Sequence, residues 1–351
     1  MPKNSFTMDD EINSEKINMK TLARVLNLSI ATVSKALRDS YDISEKTKVR
    51  VREAANRLNY VTNAYASSLR KHRSNTIAIV IPEIADSFFS QAINGIESIT
   101  GKENYHSLIY LTHDSYEREV SILNEFTSGR VDGVLISVAS NTRDTTHISK
   151  LQQAGIPIVF FDRDCEQIPT ASIKTDDFNS AYDATCHLIK QGCKNISLIT
   201  VQGYVSIFAA REEGYKKALT ENEIHTDNSN VIYCLNKYSE ENIALIRNYL
   251  DKAKPDGLLL TVEHLATSVY LACIEIKLHI PKDIKVACFT NQVTAPVLNP
   301  PLTTILQPAY QMGQKAVGIL FEYLSHKYTR LEDEHIIIPS KLVIRESTGA
   351  L

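Results

Sequence analysis

The sequence predicts a small all-α head of helix-turn-helix type, followed by a larger α/β body of two lobes with parallel sheets. Three observations carry this. Between Met19 and Arg38 two short apolar runs recur at helical spacing with a tight turn between them. From Ser74 onward, apolar β-branched stretches alternate with amphipathic ones in two successive sets. Charge is also split along the chain. Asn18 to Arg73 holds twelve Lys/Arg against four Asp/Glu, about +8, so that a net charge of −3 leaves −11 on the remainder. A basic head on an acidic body is the electrostatic footprint of nucleic-acid binding confined to one end.

In the head, Met19, Leu22, Ala23 and Leu26 form one face of a first helix. Asn18 is placed to cap its start, and Asn27 tolerates the left-handed backbone that ends it. Ser29 caps a second helix with inner face Ile30, Val33, Ala36 and Leu37. The outward residues Ala31, Thr32, Ser34, Lys35 and Arg38 are small, hydroxylated or cationic, which suits approach to phosphates and base edges. Asp39 to Ile43 read as a loop. Ser44 caps a third helix reaching about Leu58, with Val49, Ala54 or Ala55, and Leu58 inward.

The string ATVSKAL, then ISEKTKVRV, LNYVTNAYASSLRKHRSNTI and a strand ending in Pro82, resembles the amino-terminal region of the LacI/GalR family of bacterial regulators. The likeness runs on to a last strand, LVIRES at Leu342–Ser347, and leaves out only residues 1–17. It implies a periplasmic-binding-protein-like body behind the head. The domains are then 1–17, a polar disordered extension; 18–62, a helix-turn-helix DNA-binding domain; 63–73, a hinge helix; and 74–351, the effector-binding and dimerisation domain. The resemblance adds Met19, Ser29, Ile30, Thr47, Tyr60, Asn63, Ala66 and Leu69 to the DNA-facing set. Leu69 matches the family's intercalating leucine, a wedge between base steps in the minor groove. Three crossings between lobes are expected near Arg163, Thr290 and Ser325. They give lobe 1 as about 74–163 and 291–325, and lobe 2 as about 164–290 and 326–351.

Within the body, strands are expected at Thr76–Ile81, Ser107–Thr112, Gly133–Ser137 and Pro157–Phe161, then at Asn195–Val201, Val231–Leu235, Gly257–Thr261 and Lys285–Phe289. Such repeated units place a ligand at the strands' carboxyl ends. Phe88 and Phe89 open a helix after the first strand, and the family stacks this pair on its effector. Phe89 could equally be core. Arg211 matches the family's effector arginine, three residues before Gly214. Asp162 and Arg163 end a strand at the first crossing. Two positions depart from the family pattern: Val262-Glu263 stand where Asn-Asp is common, and Thr290 where Asp is common. The expected effector set is therefore Phe88, Phe89, Asp162, Arg163, Arg211, Glu263 and Thr290, and the departures leave an ordinary hexose contact set in doubt.

Several classes are excluded. There is no G-x-G pair, no phosphate-binding P-loop, no G-x-S-x-G and no H-E-x-x-H, so no catalytic residue is named and no enzyme is expected. The six cysteines form no C-x-x-C pair, and no metal or cofactor is expected. No signal peptide or bilayer-length apolar run is present, which points to the cytoplasm. The expectation is a homodimeric regulator, a repressor, that binds pseudo-palindromic operator DNA and senses a carbohydrate or related metabolite. Because family tetramers carry a leucine-repeat helix after the last strand, assembly is expected to stop at the dimer. Activation, control by a partner protein, or a sugar-binding protein without a DNA role are the alternatives.

Overall fold

In the computed structural model, the described residues are 18–60, 73–224, 230–325, 330–332 and 334–349. The chain divides into two compact units, one ending at Lys71 and the other beginning at His72.

The first unit holds three helices: α1 (Met19–Leu26), α2 (Ile30–Leu37) and α3 (Glu45–Arg57). Their ends are set by cap chemistry that acts over three residues. Asn18, Ser29 and Ser44 accept from the backbone N–H groups of Thr21 (3.0 Å), Thr32 (3.0 Å) and Thr47 (3.3 Å). Asn27 closes α1 in the left-handed region at φ 53°. Leu22, Val33, Ala36, Val51, Ala54 and Ala55 make the small core, with Tyr60 packed against it. Two inward assignments fail. Ile30 is 43% exposed and Val49 48% exposed. Val51, two residues on, fills the place expected of Val49, because α3 begins at Glu45 and this phase turns Val51 to the core. The hinge residues Asn63, Ala66 and Leu69 lie outside the described residues.

The second unit is built on two six-stranded sheets. In chain order it runs β1 (Thr76–Ile81), α4 (Ser87–Thr100), β2 (His106–Leu111), α5 (Tyr116–Phe126), β3 (Gly133–Ile136), α6 (Thr146–Gln153), β4 (Ile158–Phe161), β5 (Ser172–Thr175), α7 (Asp177–Lys190), β6 (Ile196–Val201), α8 (Ser206–Glu221) and β7 (Val231–Cys234). There follow α9 (Glu240–Ala253), β8 (Gly257–Leu260), α10 (His264–Glu275), β9 (Lys285–Phe289), β10 (Thr303–Leu306), α11 (Ala309–Leu324), β11 (His335–Ile338) and β12 (Lys341–Val343). The sheet orders are β11-β5-β4-β3-β1-β2 and β12-β10-β9-β8-β6-β7. All pairs are parallel except β10 with β12.

Strand alternation explains the layers. Ile77, Ile79 and Ile81 of β1 face α4 and α11, while Ala78 and Val80 face Leu123, Phe126, Ile148 and Leu151 of α5 and α6. The second sheet repeats this, with Leu198, Leu259 and Ala287 against α7 and α8. Each lobe closes one helix pair on glycine. A Cβ on Gly95 would stand 2.1 Å from the Tyr310 carbonyl oxygen, and one on Gly214 2.2 Å from that of Phe178.

The lobe boundaries differ from the expected ones. β5 and β11 belong to the first sheet, whereas β10 belongs to the second. The crossings therefore fall near Asp176, Gln307 and Ser340 rather than Arg163, Thr290 and Ser325. These points are bonded to one another: the Ser340 N–H donates to Asp176 Oδ1 at 2.8 Å, and Gln307 Nε2 to Thr175 Oγ1 at 3.4 Å. The physical reason is pairing. Ser172 registers with His335 and Thr304 with Val343, so each lobe's edge is completed by chain from far along the sequence. The last strand is also shorter than Leu342–Ser347, ending at Val343 before a 3-10 turn at Glu346–Thr348.

Candidate functional site

On α2, Ser29, Ile30, Ala31, Lys35 and Arg38 are exposed and Thr32 is half-buried. Met19, Thr47 and Tyr60 are half-buried as well. Ser34 does not face outward as expected. It is buried, and Arg38 folds back on it, donating from Nη2 to Ser34 Oγ at 2.6 Å and from Nε to the Ser34 carbonyl at 3.1 Å. Lys35 pairs with Asp42, and Lys48 and Arg52 with Asp39 at 3.1 and 2.8 Å. Hydrogen bonds from Lys48 and Lys35 hold Asp39 and Asp42 below the usual aspartate pKa. Each of these acids is thus paired with a cation on the protein itself.

The body's sheets each reverse strand order next to their first strand, between β1 and β3 and between β6 and β8. Loops leaving the carboxyl ends at these two reversals meet at a cavity of about 40 Å³. All seven expected effector residues line it: Phe88, Phe89, Asp162, Arg163, Arg211, Glu263 and Thr290. A larger cavity, about 500 Å³, lies against β11 at the first sheet's edge. Its polar groups pair among themselves, Lys174 with Asp164 and Ser172 with His335, each at 2.8 Å.

From the second lobe, Arg211 is 3% exposed and donates from Nε to Asp177 Oδ1 at 2.7 Å and from Nη1 to the Thr261 carbonyl, its guanidinium lying 4.1 Å from the Phe289 ring centre. It is therefore a buried ion pair with a residue 34 positions away, not a surface pair with a neighbouring glutamate. Glu263 reaches across to the first lobe, where it accepts from the Ser87 N–H at 3.1 Å and from Ser87 Oγ, and it also accepts from Thr290 Oγ1 at 2.7 Å within its own lobe. Beside it, Gln91 and Asn291 bond across the lobes at 2.9 Å.

From the first lobe, Phe88 and Phe89 meet edge to face at 5.2 Å, and both are buried. Phe89 also packs on Phe161 at 6.4 Å, so it is core and cleft wall at once. Asp162 takes the left-handed backbone at φ 65°. Ser137 Oγ donates to it from 3.4 Å, and burial pushes its pKa to about 7. Arg163 donates from Nη1 to Asp114 at 2.7 Å, but its buried Nε has no hydrogen-bond partner. Burial works against the Asp114 charge, yet Arg163 with the donors of Ser140 and Asn236 holds its pKa below the usual value. Asp86 caps α4 by accepting from the Phe88 N–H at 2.8 Å. Burial and then the charge of Glu263 push its pKa to about 6.

Sequence reasoning missed Phe208, Phe289 and Gln307, which also line the cavity. Phe208 had a signal. Ser206-Ile207-Phe208 follows the first strand of the second lobe as Ser87-Phe88-Phe89 follows that of the first, an internal repeat of cleft-lining aromatics. Gln307 had none, since its place depends on the crossing between lobes.

Among the described residues no group of His, Cys, Asp and Glu could hold a metal ion, and no helix is long and apolar enough to cross a membrane. A family model described as bacterial regulatory proteins, lacI family, matches residues 18–63, and one for a periplasmic binding protein-like domain matches 185–348. The chain is 27% identical to catabolite control protein A of Staphylococcus epidermidis over 334 residues, 95% of this chain and 99% of that one. It superposes on the lac repressor dimer bound to operator and the anti-inducer ONPF with a TM-score of 0.81 at 22% identity, covering 96% of this chain and 100% of that one. A LacI family transcriptional regulator from Enterococcus faecium with bound ribose gives 0.69 at 27% identity, covering 79% and 99%.

Proposed function

The chain belongs to the LacI/GalR family of bacterial transcriptional regulators, and from that premise we propose that it represses transcription as a homodimer on a pseudo-palindromic operator, controlled by a carbohydrate-class effector held between its lobes. One observation carries the effector reading. At the meeting point of both strand reversals, Asp162 lacks a close donor and the neighbouring Arg163 Nε lacks an acceptor. A hydroxyl can donate to the first and accept from the second. The ribose held by the Enterococcus faecium regulator favours the same ligand class. The exposed face of α2, with Lys35 and Arg38, enters the major groove, while Asn63, Ala66 and Leu69 form the hinge that follows the minor groove. The protein acts in the cytoplasm on DNA and performs no catalytic step.

Leu69→Ser and Lys35→Ala test this reading. Leu69→Ser should cost about 2–3 kcal/mol on operator DNA with little change on a scrambled duplex, because the wedge acts only when a base step is opened. Lys35→Ala should weaken both duplexes or relax choice at one base position. Fluorescence anisotropy separates the two. Equal losses on both duplexes for Leu69→Ser would reduce residues 63–73 to a tether.

A further inference from the structure

The cleft gathers more carboxyl groups than cationic ones. Two guanidiniums line it, and each is held by an aspartate that does not: Arg211 by Asp177 and Arg163 by Asp114, both at 2.7 Å. Three further carboxylates, Asp86, Asp162 and Glu263, line the cavity itself. The nearest cationic atom to any of them is Arg163 Nε, 3.7 Å from Asp162 and too far for a hydrogen bond. Five carboxylates thus share two guanidiniums. The three lining carboxylates also sense one another, since the charge of Glu263 raises the pKa of Asp86 and that of Asp86 raises the pKa of Asp162.

A second, independent observation points to a guest. Arg163 is 6% exposed, lines the cavity and leaves its Nε without an acceptor. The guest must therefore bring an oxygen acceptor as well as relief for the carboxylates. Phe88, Phe89 and Phe208 also line the cavity, with the Arg163 guanidinium 6.0 and 5.6 Å from the ring centres of the last two.

We infer that the effector of this cleft is a polyhydroxylated cation, a sugar-like compound bearing a protonated amine, rather than a neutral or phosphorylated sugar. This rests on the reading of the cleft as an effector site. An ammonium offers three donors to three carboxylates, while a ring hydroxyl accepts from Arg163 Nε. The cavity, about 40 Å³ in this structure, is too small for a hexose, so the lobes part to admit it. Parting them separates Glu263 from Ser87 and turns that carboxylate to the guest. A phosphate would set negative charge beside three carboxyl groups that no cation among the described residues hydrogen-bonds.

Calorimetry and thermal shift on the full chain at neutral pH test this with D-glucosamine, D-galactosamine and D-mannosamine. Each is set against its parent hexose, in which a hydroxyl replaces the amine, and against glucose 6-phosphate. At least one amino sugar should bind about tenfold tighter than its parent, the worth of one charge-assisted bond over a neutral one. Glu263→Gln and Asp162→Asn should each shrink that preference to about threefold or less. A parent hexose binding as tightly as its amino sugar, or the phosphate binding best, overturns the amine and leaves the effector reading standing. If no compound binds and operator affinity is unmoved by all of them, both fail.

Discussion

The two walls of the cleft carry similar residues in different states of completion. On the second lobe, Arg211 spans Asp177 and the Thr261 carbonyl, and Glu263 accepts from Ser87 and Thr290. On the first, Asp162 sits in a left-handed backbone with a donor at 3.4 Å, and Arg163 keeps an unpartnered Nε. An aspartate in that region of φ is uncommon, and strained, under-bonded groups persist where the surrounding fold imposes them. The difference teaches a division of labour. The second lobe supplies a pre-set wall whose polar groups are already bonded, and the first supplies groups whose bonds await a guest.

The largest effect should come from breaking the completed wall. Arg211→Met leaves Asp177 buried without its cation, a loss on the order of 3–5 kcal/mol in the body's urea transition. Adding Asp177→Asn to it should recover much of that loss. Arg163→Met should cost clearly less, because Asp114 is partly solvated and keeps its Ser140 and Asn236 donors. Equal losses for the two arginines would erase the contrast between the walls.

A smaller effect, with a definite pH signature, sharpens the other wall. The folded pKa of Asp162, about 7, lies above its ordinary value of 3.8, so the folded state holds a proton that the unfolded chain releases between those values. Stability therefore falls as pH rises from about 4 through about 7 and stays lowered beyond. Asp162→Asn has no such titration. It should match or trail the wild type near pH 5 and melt higher near pH 8, a relative gain of roughly a few kcal/mol. A difference that does not change with pH would mean Asp162 is better partnered than the cleft geometry says.

The smallest effect belongs to the bond that joins the walls. Ser87→Ala removes one of the donors to Glu263 and keeps the backbone N–H. About 1.5 kcal/mol should be lost, the low end for a bond to a carboxylate, read as a modest fall in melting temperature. A loss as large as that of Arg211→Met would move the keystone of the cleft from the second lobe to the contact between lobes.

Much of this protein is written locally. The caps Asn18, Ser29 and Ser44 act on residues three positions away, and the strands β1, β6, β8 and β9 are mostly apolar. Sequence determines such features by itself because the forces behind them, cap hydrogen bonds and side-chain periodicity, span a few residues. The resemblance to a family then picked out seven residues as an effector set, and the fold brings them to one cavity. What only the tertiary structure decided was set by partners far away in the chain. β5 is completed by β11, Glu263 meets Ser87 across 176 positions, and Arg211 finds Asp177 rather than the glutamates beside it. Even the burial of Ser34, one turn from exposed Ala31 and Arg38, depends on how α2 lies against its neighbours. Local rules say which residues form an element. Which edge that element completes, and which charge a buried arginine holds, follow from pairing and burial across the whole fold, where desolvation makes the partner matter most.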